Sequence, residues 1–283
     1  MTSEPVRRWI ETSPYTAALG VRARALASER VVLELPFAES NSNPGKALHG
    51  GCAASLAAIG GQAVTRLALG EAAGPWNTCA LQIGYLNAAI DEDVVASATL
   101  LREGKQLCFV AVDIATQKGK PIAHATSVVR ARLAAPATAL QRSGGDAGES
   151  DPGPMGPAIG QIPFVNARGI RVEHMTGGCS RLVMPFRAAN ADASGGIHEG
   201  ALLALLDTTG AMASWAETGP GRFKASTPAL QAQIFAPVPK HDLVAYGRML
   251  QRDGELLWSD AEIASAVDGQ LFARGTVVYR IVA

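Results

Sequence analysis

The segment HGGCAASLAAIGGQAVT, residues 49–65, contains no charged side chain. A second segment, HEGALLALLDTTGAMASWA at residues 198–216, is similar, and from Ala201 onward Asp207 is its only charged residue. A helix that is apolar on every face must be buried on most of them. The Ala and Gly residues of the first segment also let a sheet approach its backbone closely. The two segments therefore predict buried central helices at about 49–69 and 198–217.

Both segments belong to an internal repeat. His49 and His198 are 149 residues apart, and the same offset aligns Pro36-Phe37 with Pro185-Phe186. It also aligns Thr78-x-Ala80-Leu81-Gln82 with Thr227-x-Ala229-Leu230-Gln231. With one extra residue inserted, the alignment continues to the end of the chain, where Thr126, Val128 and Arg130 match Thr276, Val278 and Arg280. Fixed-period similarity of this length indicates two copies of one structural unit.

Each copy shows the same order of predicted elements. A strand region precedes the helix, and four strands in an antiparallel meander follow it, separated by turns such as Arg102-Glu103-Gly104 and Arg252-Asp253-Gly254. A curved antiparallel sheet around a central buried helix is the hotdog architecture, so the prediction is an α+β protein of two tandem hotdog domains. Residues 134–163 hold five Pro and six Gly without apolar periodicity, which is typical of a linker. The predicted domains are residues 1–133 and 164–283.

Composition restricts the possible partners of this chain. It has 283 residues, 48% of them hydrophobic, and its 25 basic and 25 acidic side chains give no net charge. Without a basic excess, nucleic acid is not expected as a partner. The uncharged stretch that begins at Gly50 falls short of the ~20 apolar residues that span a bilayer, so no membrane partner is expected either. Four scattered Cys without a CxxC pair predict no metal site. The charged N-terminus lacks the apolar core of a signal peptide, and this predicts a cytoplasmic protein.

The loop before the first helix carries a family resemblance. Asn43-Pro-Gly-Lys-Ala-Leu-His49-Gly50-Gly51 resembles the loop-to-helix segment of hotdog acyl-CoA thioesterases of the phenylacetyl-CoA thioesterase type. His198-Glu-Gly200, with Asp207 further along the helix, is similar to the same family's His-x-Gly followed by a carboxylate. The resemblance implies hydrolysis of an acyl-CoA, with CoA entering as part of the substrate and no other cofactor. Because hotdog units associate through their sheets, it also implies a homodimer of tandem chains.

Neither copy carries the whole family pattern, which places an acid nine residues after the His. That position is Ala58 in the first copy and Asp207 in the second. Nine residues of helix span about 14 Å, so Asp207 cannot reach the start of its own helix. The family's dimers imply that it meets the start of the other helix. The prediction is one composite site of Asn43, His49, Gly50 and Asp207, and one lapsed site of Ala58, Asp192, His198 and Glu199.

The predicted site contains the groups that thioester hydrolysis needs. A helix start presents unpaired N–H groups and a partial positive charge, so the Gly50 N–H can stabilise the oxyanion that forms at the thioester carbonyl. Asp207 either attacks the carbonyl or deprotonates a water molecule. Asn43 orients that water or the carboxylate, and His49 forms a hydrogen bond near the thioester.

Other roles remain open for several of these residues. Gly51 and Thr208 are the predicted substrate-binding residues, and Thr208 lies next to Asp207, where it can steady the carboxylate. His49 can instead be satisfied by backbone at the helix start, and Asn43 can cap its own loop. Gln62 either partly fills the lapsed site or packs within the core, bonded to its own turn.

Two other functions remain as alternatives at this point. One is a non-catalytic acyl-CoA-binding protein, which the changed motif positions Ala58 and Glu199 would suit. The other is hydration or dehydration of an acyl-CoA, although the Asp-Asn-His type of motif used by such hotdog families is missing. The chain also contains no GxSxG, Walker, HExxH or strand-linked GxGxxG motif.

Overall fold

A computed structural model describes residues 3–134, 139–145 and 148–282 of the chain. Its helices are α1 (Glu4–Thr12), α2 (Pro14–Leu19), α3 (Gly50–Leu69), α4 (Gly156–Ile159), α5 (Pro163–Arg168) and α6 (Glu199–Thr218). The strands of the first half are β1 (Arg22–Leu26), β2 (Arg30–Leu35), β3 (Asn77–Tyr85), β4 (Val94–Arg102), β5 (Leu107–Thr116) and β6 (Pro121–Arg130). Those of the second half are β7 (Arg171–Thr176), β8 (Cys179–Met184), β9 (Lys224–Ile234), β10 (Leu243–Asp253), β11 (Leu256–Ser265) and β12 (Leu271–Val282).

The two central helices lie where the uncharged segments predict them. The bounds of α3 and α6 agree with the predicted segments to within one residue. The 20-residue helix α3 extends beyond the uncharged stretch at residues 49–65, and by length and composition it could span a membrane. However, 83% of its apolar window is buried inside the protein, as expected for a core helix. Its apolar character is therefore explained by packing against the sheet and against α6.

All twelve strands form one antiparallel sheet, in the order β1-β2-β4-β5-β6-β3-β9-β12-β11-β10-β8-β7. The halves join edge to edge through β3 and β9, where Gln82 faces its repeat counterpart Gln231. The α+β hotdog fold predicted from the sequence is confirmed. The predicted four-strand meander is wrong in one respect, because β3 pairs with β6 and not with β4. The first strand after each central helix thereby becomes available to pair with the other half.

The segments before each central helix contain more structure than the sequence indicated. Each predicted strand region is a hairpin, β1–β2 in the first half and β7–β8 in the second. The N-terminal tail forms α1 and α2, which bury Val6, Ile10, Tyr15 and Leu19 in the core. Val6 and Ile10 lie four residues apart on one face of α1, and that spacing was the available signal for this helix.

The predicted linker follows the surface of the second half. Its Ser143 N–H donates to Gly269 O at 2.9 Å, and its Asp151 O accepts from Met175 N at 2.8 Å. The short helix α4 also falls within it. Residues 135–138, 146 and 147 of the linker lie outside the described residues.

Candidate active site

The central helices α3 and α6 pack against each other in antiparallel directions. A Cβ atom added at Gly51 would lie 2.6 Å from the Cβ of Ala204, and one added at Gly200 would lie 2.8 Å from Ser55 Oγ. These distances are too short for side chains, so glycine at both positions permits the close crossing. Gly51 packs against Ala204, and Gly200 packs against Ser55. The start of each helix therefore lies beside the middle of the other. The helix pair therefore creates two equivalent corners, related by the repeat.

The first corner brings Gly50 of α3 against Asp207 of α6. A Cβ atom added at Gly50 would lie 2.7 Å from Asp207 Oδ2. The Asp207 residue is only 3% exposed, and its Oδ1 accepts a hydrogen bond from Thr227 Oγ1 at 3.0 Å. Within the described residues, the Gly50 N–H has no acceptor. A free backbone donor and a free carboxylate oxygen thus share one small space at the helix start.

The electrostatics of this corner favour a carboxylate that changes charge near neutral pH. Burial raises the pKa of Asp207 from 3.8 to about 6, and the bond from Thr227 acts in the opposite direction. Tyr85 lies beside it and donates from Oη to Gly50 O at 3.2 Å. Burial, assisted by the charge of Asp207, raises the pKa of Tyr85 well above its usual value, so the phenol stays protonated.

His49 caps the start of α3 with its ring. Its Nδ1 accepts from Gly51 N at 2.9 Å, which leaves the proton of the neutral ring on Nε2. Phe164, from the second half, stacks on the ring with centroids 4.2 Å apart and planes 17° apart. Burial lowers the pKa of His49 to about 4, so the ring is neutral at physiological pH. The backbone-capping role considered for this residue is therefore present, with Nε2–H left as a donor.

Two of the other three predicted site residues have local partners. The Gly51 N–H is taken by His49, and the position serves the helix crossing. Thr208 Oγ1 donates to Ala204 O in its own helix at 2.7 Å, so Thr227 holds Asp207 in the place expected for Thr208. Asn43 is half-buried in the loop, and its side chain forms no hydrogen bond within the part of the chain that the structure describes.

Sequence reasoning missed Thr227 and Phe164 and left Tyr85 without a specific role. Thr227 was visible as a repeat match to Thr78, but nothing local indicated that β9 faces Asp207. The offset of 149 residues also pairs Pro163-Phe164 with Pro14-Tyr15. That extension of the repeat was the available signal, because Tyr15 stacks on His198 at 4.9 Å as Phe164 stacks on His49.

The second corner lacks the free carboxylate oxygen of the first. Glu199 occupies the position of Gly50, and its carboxylate is bonded to Gln62 and to the backbone of Thr78. Gln62 thus fills this corner, and it also accepts from Arg66 one turn further along its own helix. The Asp192 carboxylate is used in its own turn, where Oδ1 accepts from Ser194 N at 2.7 Å. Among the described residues, no group of three His, Cys, Asp or Glu side chains could hold a metal ion.

Comparisons with known proteins agree with this architecture. A family model described as an acyl-CoA thioesterase N-terminal domain matches residues 38–130. Acyl-coenzyme A thioesterase 13 from Mus musculus is 32% identical over 100 residues, which are 35% of this chain and 70% of that protein. The protein of the same name from Homo sapiens matches to the same extent.

Solved structures extend the likeness over both halves. The tesB protein of Mycobacterium avium subs paratuberculosis has a TM-score of 0.65 and 14% identity, covering 96% of this chain and 100% of its own. A putative thioesterase II from Thermobifida fusca has a TM-score of 0.66 and 16% identity, covering 96% and 98%. At these identities the likeness concerns the fold alone, and it shows that the tandem arrangement occurs in other chains.

Proposed function

Because this chain belongs to the hotdog-fold acyl-CoA thioesterases, hydrolases that act on thioester bonds, we propose that it cleaves acyl-CoA at one composite site per chain. The site consists of the start of α3 and Asp207 of α6. The observation that carries the proposal is the approach of Asp207 Oδ2 to within 2.7 Å of the Cβ position of Gly50, whose N–H is free of acceptors among the described residues.

The start of α3 supplies the oxyanion site. A thioester carbonyl placed against the Gly50 N–H accepts a hydrogen bond from it and lies in the partial positive charge of a 20-residue helix. Gly51 cannot serve, since its N–H is bonded to His49. Both effects strengthen as negative charge develops on the carbonyl oxygen, so they favour the transition state over the bound substrate.

Asp207 acts as the general base in this proposal. Thr227 holds Oδ1, which leaves Oδ2 facing the Gly50 corner. A carboxylate with a pKa of about 6 is ionised at neutral pH and still basic enough to accept a proton from water. The hydroxide equivalent adds to the carbonyl carbon, the C–S bond breaks, and the thiolate of CoA leaves. The products are a carboxylate, free CoA thiol and one released proton.

The other predicted residues support these two groups. We assign His49 to orienting the first turn of α3 through Gly51, with its Nε2–H as a donor towards the site. Asn43 is assigned to orienting the attacking water, which agrees with a side-chain amide that no described residue engages. Neither assignment is required for the main proposal, which depends on Gly50 and Asp207.

Release of CoA thiol from a panel of acyl-CoAs tests the proposal. Asp207→Asn removes the base without changing the size of the side chain, and we expect kcat to fall by ~10²–10⁴. Glu217→Gln is the matched control, because Glu217 is an exposed carboxylate on the same helix. Equal rates for wild type and Asp207→Asn would refute the composite site.

Single-turnover hydrolysis in H₂¹⁸O tests the role of Asp207 as a base. Direct attack by the carboxylate forms an anhydride, and water that then attacks its Asp207 carbonyl carbon leaves an enzyme oxygen in the acid product of the first turnover. With Asp207 as a base, every product molecule carries ¹⁸O from the solvent. Appearance of unlabelled acid would show that Asp207 is the nucleophile.

Three expectations from the sequence remain proposals about the working protein. We expect two tandem chains to associate as a homodimer, which light scattering of the purified protein would show. We also expect a cytoplasmic location and activity without any added cofactor, the CoA being part of the substrate. Dialysis against a chelator should accordingly leave thiol release unchanged.

A further inference from the structure

The second corner of the helix pair is the first corner with its carboxylate moved to the other helix. The repeat aligns Glu199 with Gly50 and Ala58 with Asp207. In the first corner the acid comes from the middle of one helix and meets a glycine at the start of the other. In the second corner the middle of α3 offers only Ala58, and the acid comes from the start of α6.

The Glu199 carboxylate reaches the strand position that holds the acid in the first corner. Its Oε1 accepts from Thr78 N at 3.0 Å, and Thr78 is the repeat counterpart of Thr227, the partner of Asp207. Its Oε2 accepts from Gln62 Nε2 at 2.7 Å. Both carboxylate oxygens are therefore bonded to the protein, whereas Asp207 Oδ2 has no hydrogen-bond donor among the described residues.

Two further side chains complete the closure. Gln62 Oε1 accepts from Arg66 Nη2 at 3.2 Å, and the guanidinium lies 4.1 Å from the ring centre of Trp9 and 5.6 Å from that of Trp76. The counterpart of Gln62 in the first corner is Ala211, which is small and apolar. We call Glu199, Gln62 and Arg66 the polar plug.

We propose that the second corner is an acyl-thioester pocket that the protein closes from inside with the polar plug, so that each chain binds one acyl-CoA. The class of ligand in this proposal rests on the proposed function. The closure itself rests on the contacts of the polar plug. The plug differs from the first corner in two ways, because both oxygens of its carboxylate are bonded to the protein and its amide stands at the position that the small Ala211 holds in the first corner. A negative carboxylate beside the start of α6 also repels an oxyanion.

The frame around the plug remains that of a working corner. The His198 Nδ1 accepts from Gly200 N at 2.9 Å, the same distance as between His49 and Gly51. Tyr15 covers the His198 ring as Phe164 covers that of His49. The helix start, its cap and the aromatic cover are thus intact, and the differences concentrate in the side chains that occupy the pocket. Removing those side chains should reopen it.

The first test uses stability, which does not depend on catalysis. Ala58 is 1% exposed, so Ala58→Asp forces a second carboxylate into the space that Glu199 occupies. We expect the Tm to fall by at least about 5 °C, and adding Glu199→Gly to recover most of the loss. If Ala58→Asp leaves the Tm unchanged, or if Glu199→Gly fails to rescue it, the carboxylate does not plug this pocket and the proposal is wrong.

The second test counts ligands with a non-hydrolysable thioether analogue of acyl-CoA in a calorimeter. Wild type should bind one analogue per chain. The variant Ala58→Asp/Gln62→Ala/Glu199→Gly exchanges the two pocket-filling side chains and Ala58 for their counterparts in the first corner, while Ile234 and Asp192 remain in place of Tyr85 and Asn43. It should bind two. A folded triple variant that still binds one analogue, or a wild type that already binds two, would overturn the proposal.

Moving the plug into the first corner provides the mirror control. Gly50→Glu/Asp207→Ala/Ala211→Gln should reduce binding from one analogue per chain to none. If wild type itself binds no analogue, or if Asp207→Asn keeps full thiol release, the proposed function fails instead. The Tm comparison with Ala58→Asp still decides the closure in that case, because it involves no ligand.

Discussion

Replacing Asp207 with Asn should make the protein more stable while removing its activity. Asp207 is buried, its pKa is raised from 3.8 to about 6 by that burial, and its one hydrogen-bond donor among the described residues is Thr227. A carboxyl group whose pKa is higher in the folded than in the unfolded state destabilises the fold once it ionises. The cost is absent below pH 4, appears as the pH rises to about 6, and is complete above that value.

The size of the effect follows from the displaced pKa. Each pH unit of displacement corresponds to about 1.36 kcal/mol, so ionised Asp207 should lower the free energy of unfolding by about 3 kcal/mol at pH 7. Asn has nearly the same volume and can still accept a hydrogen bond from Thr227 through its side-chain oxygen. The neutral amide therefore removes the cost without leaving a cavity.

Urea unfolding of wild type and Asp207→Asn between pH 4 and pH 8 measures the difference. The two proteins should be equally stable near pH 4, and the variant should be more stable by about 3 kcal/mol at pH 7 to 8. Asp253→Asn, at an exposed carboxylate, serves as a control in which the difference should stay small. A variant that is less stable than wild type at pH 8, or a difference that does not vary with pH, would refute the burial argument.

Three further substitutions test the geometry of the first corner. Gly50→Ala places a Cβ atom 2.7 Å from Asp207 Oδ2, so the kcat for thiol release should fall at least ~10²-fold. A rate near that of wild type would show that the corner can widen. Thr227→Val removes a bond that favours ionised Asp207, so the acidic limb of the pH–rate profile should move to higher pH; an unmoved limb would contradict the bond. Phe164→Ala removes the ring stacked on His49 and should cost about 3–5 kcal/mol in urea unfolding, with Phe164→Leu as the milder control.

The sequence was sufficient for the fold because the decisive signals are local or strictly periodic. Two uncharged helices, 149 residues apart, can be recognised without knowing what packs on them. The observed helices α3 and α6 begin and end within one residue of the prediction. The pairing of β3 with β6 could not be predicted in the same way. The order of strands in a sheet is set by contacts between residues that are far apart in the sequence.

The contents of the two corners depend on contacts between distant residues. The motif spacing excluded Asp207 from the start of its own helix, since nine residues of helix span about 14 Å. Its pairing with Gly50 was implied by the family resemblance. To identify the strand residue that holds Asp207, one had to know that β9 faces α6, since the hydroxyl of the adjacent Thr208 is bonded within its own helix. The stacking of Phe164 on His49 likewise joins residues 115 positions apart, and no local pattern specifies that contact.

The four residues at the two corners form two mutually dependent pairs. At the first corner a side chain at position 50 would collide with Asp207, so that acid is compatible only with glycine. At the second corner the Glu199 carboxylate is bonded to Thr78 and Gln62, and the small Ala58 stands at the repeat position of Asp207. Exchanging one member of either pair alone produces either two carboxylates in one pocket or none. The antiparallel helix crossing therefore requires that the acid and its facing residue change together, which is why the two corners differ at both positions.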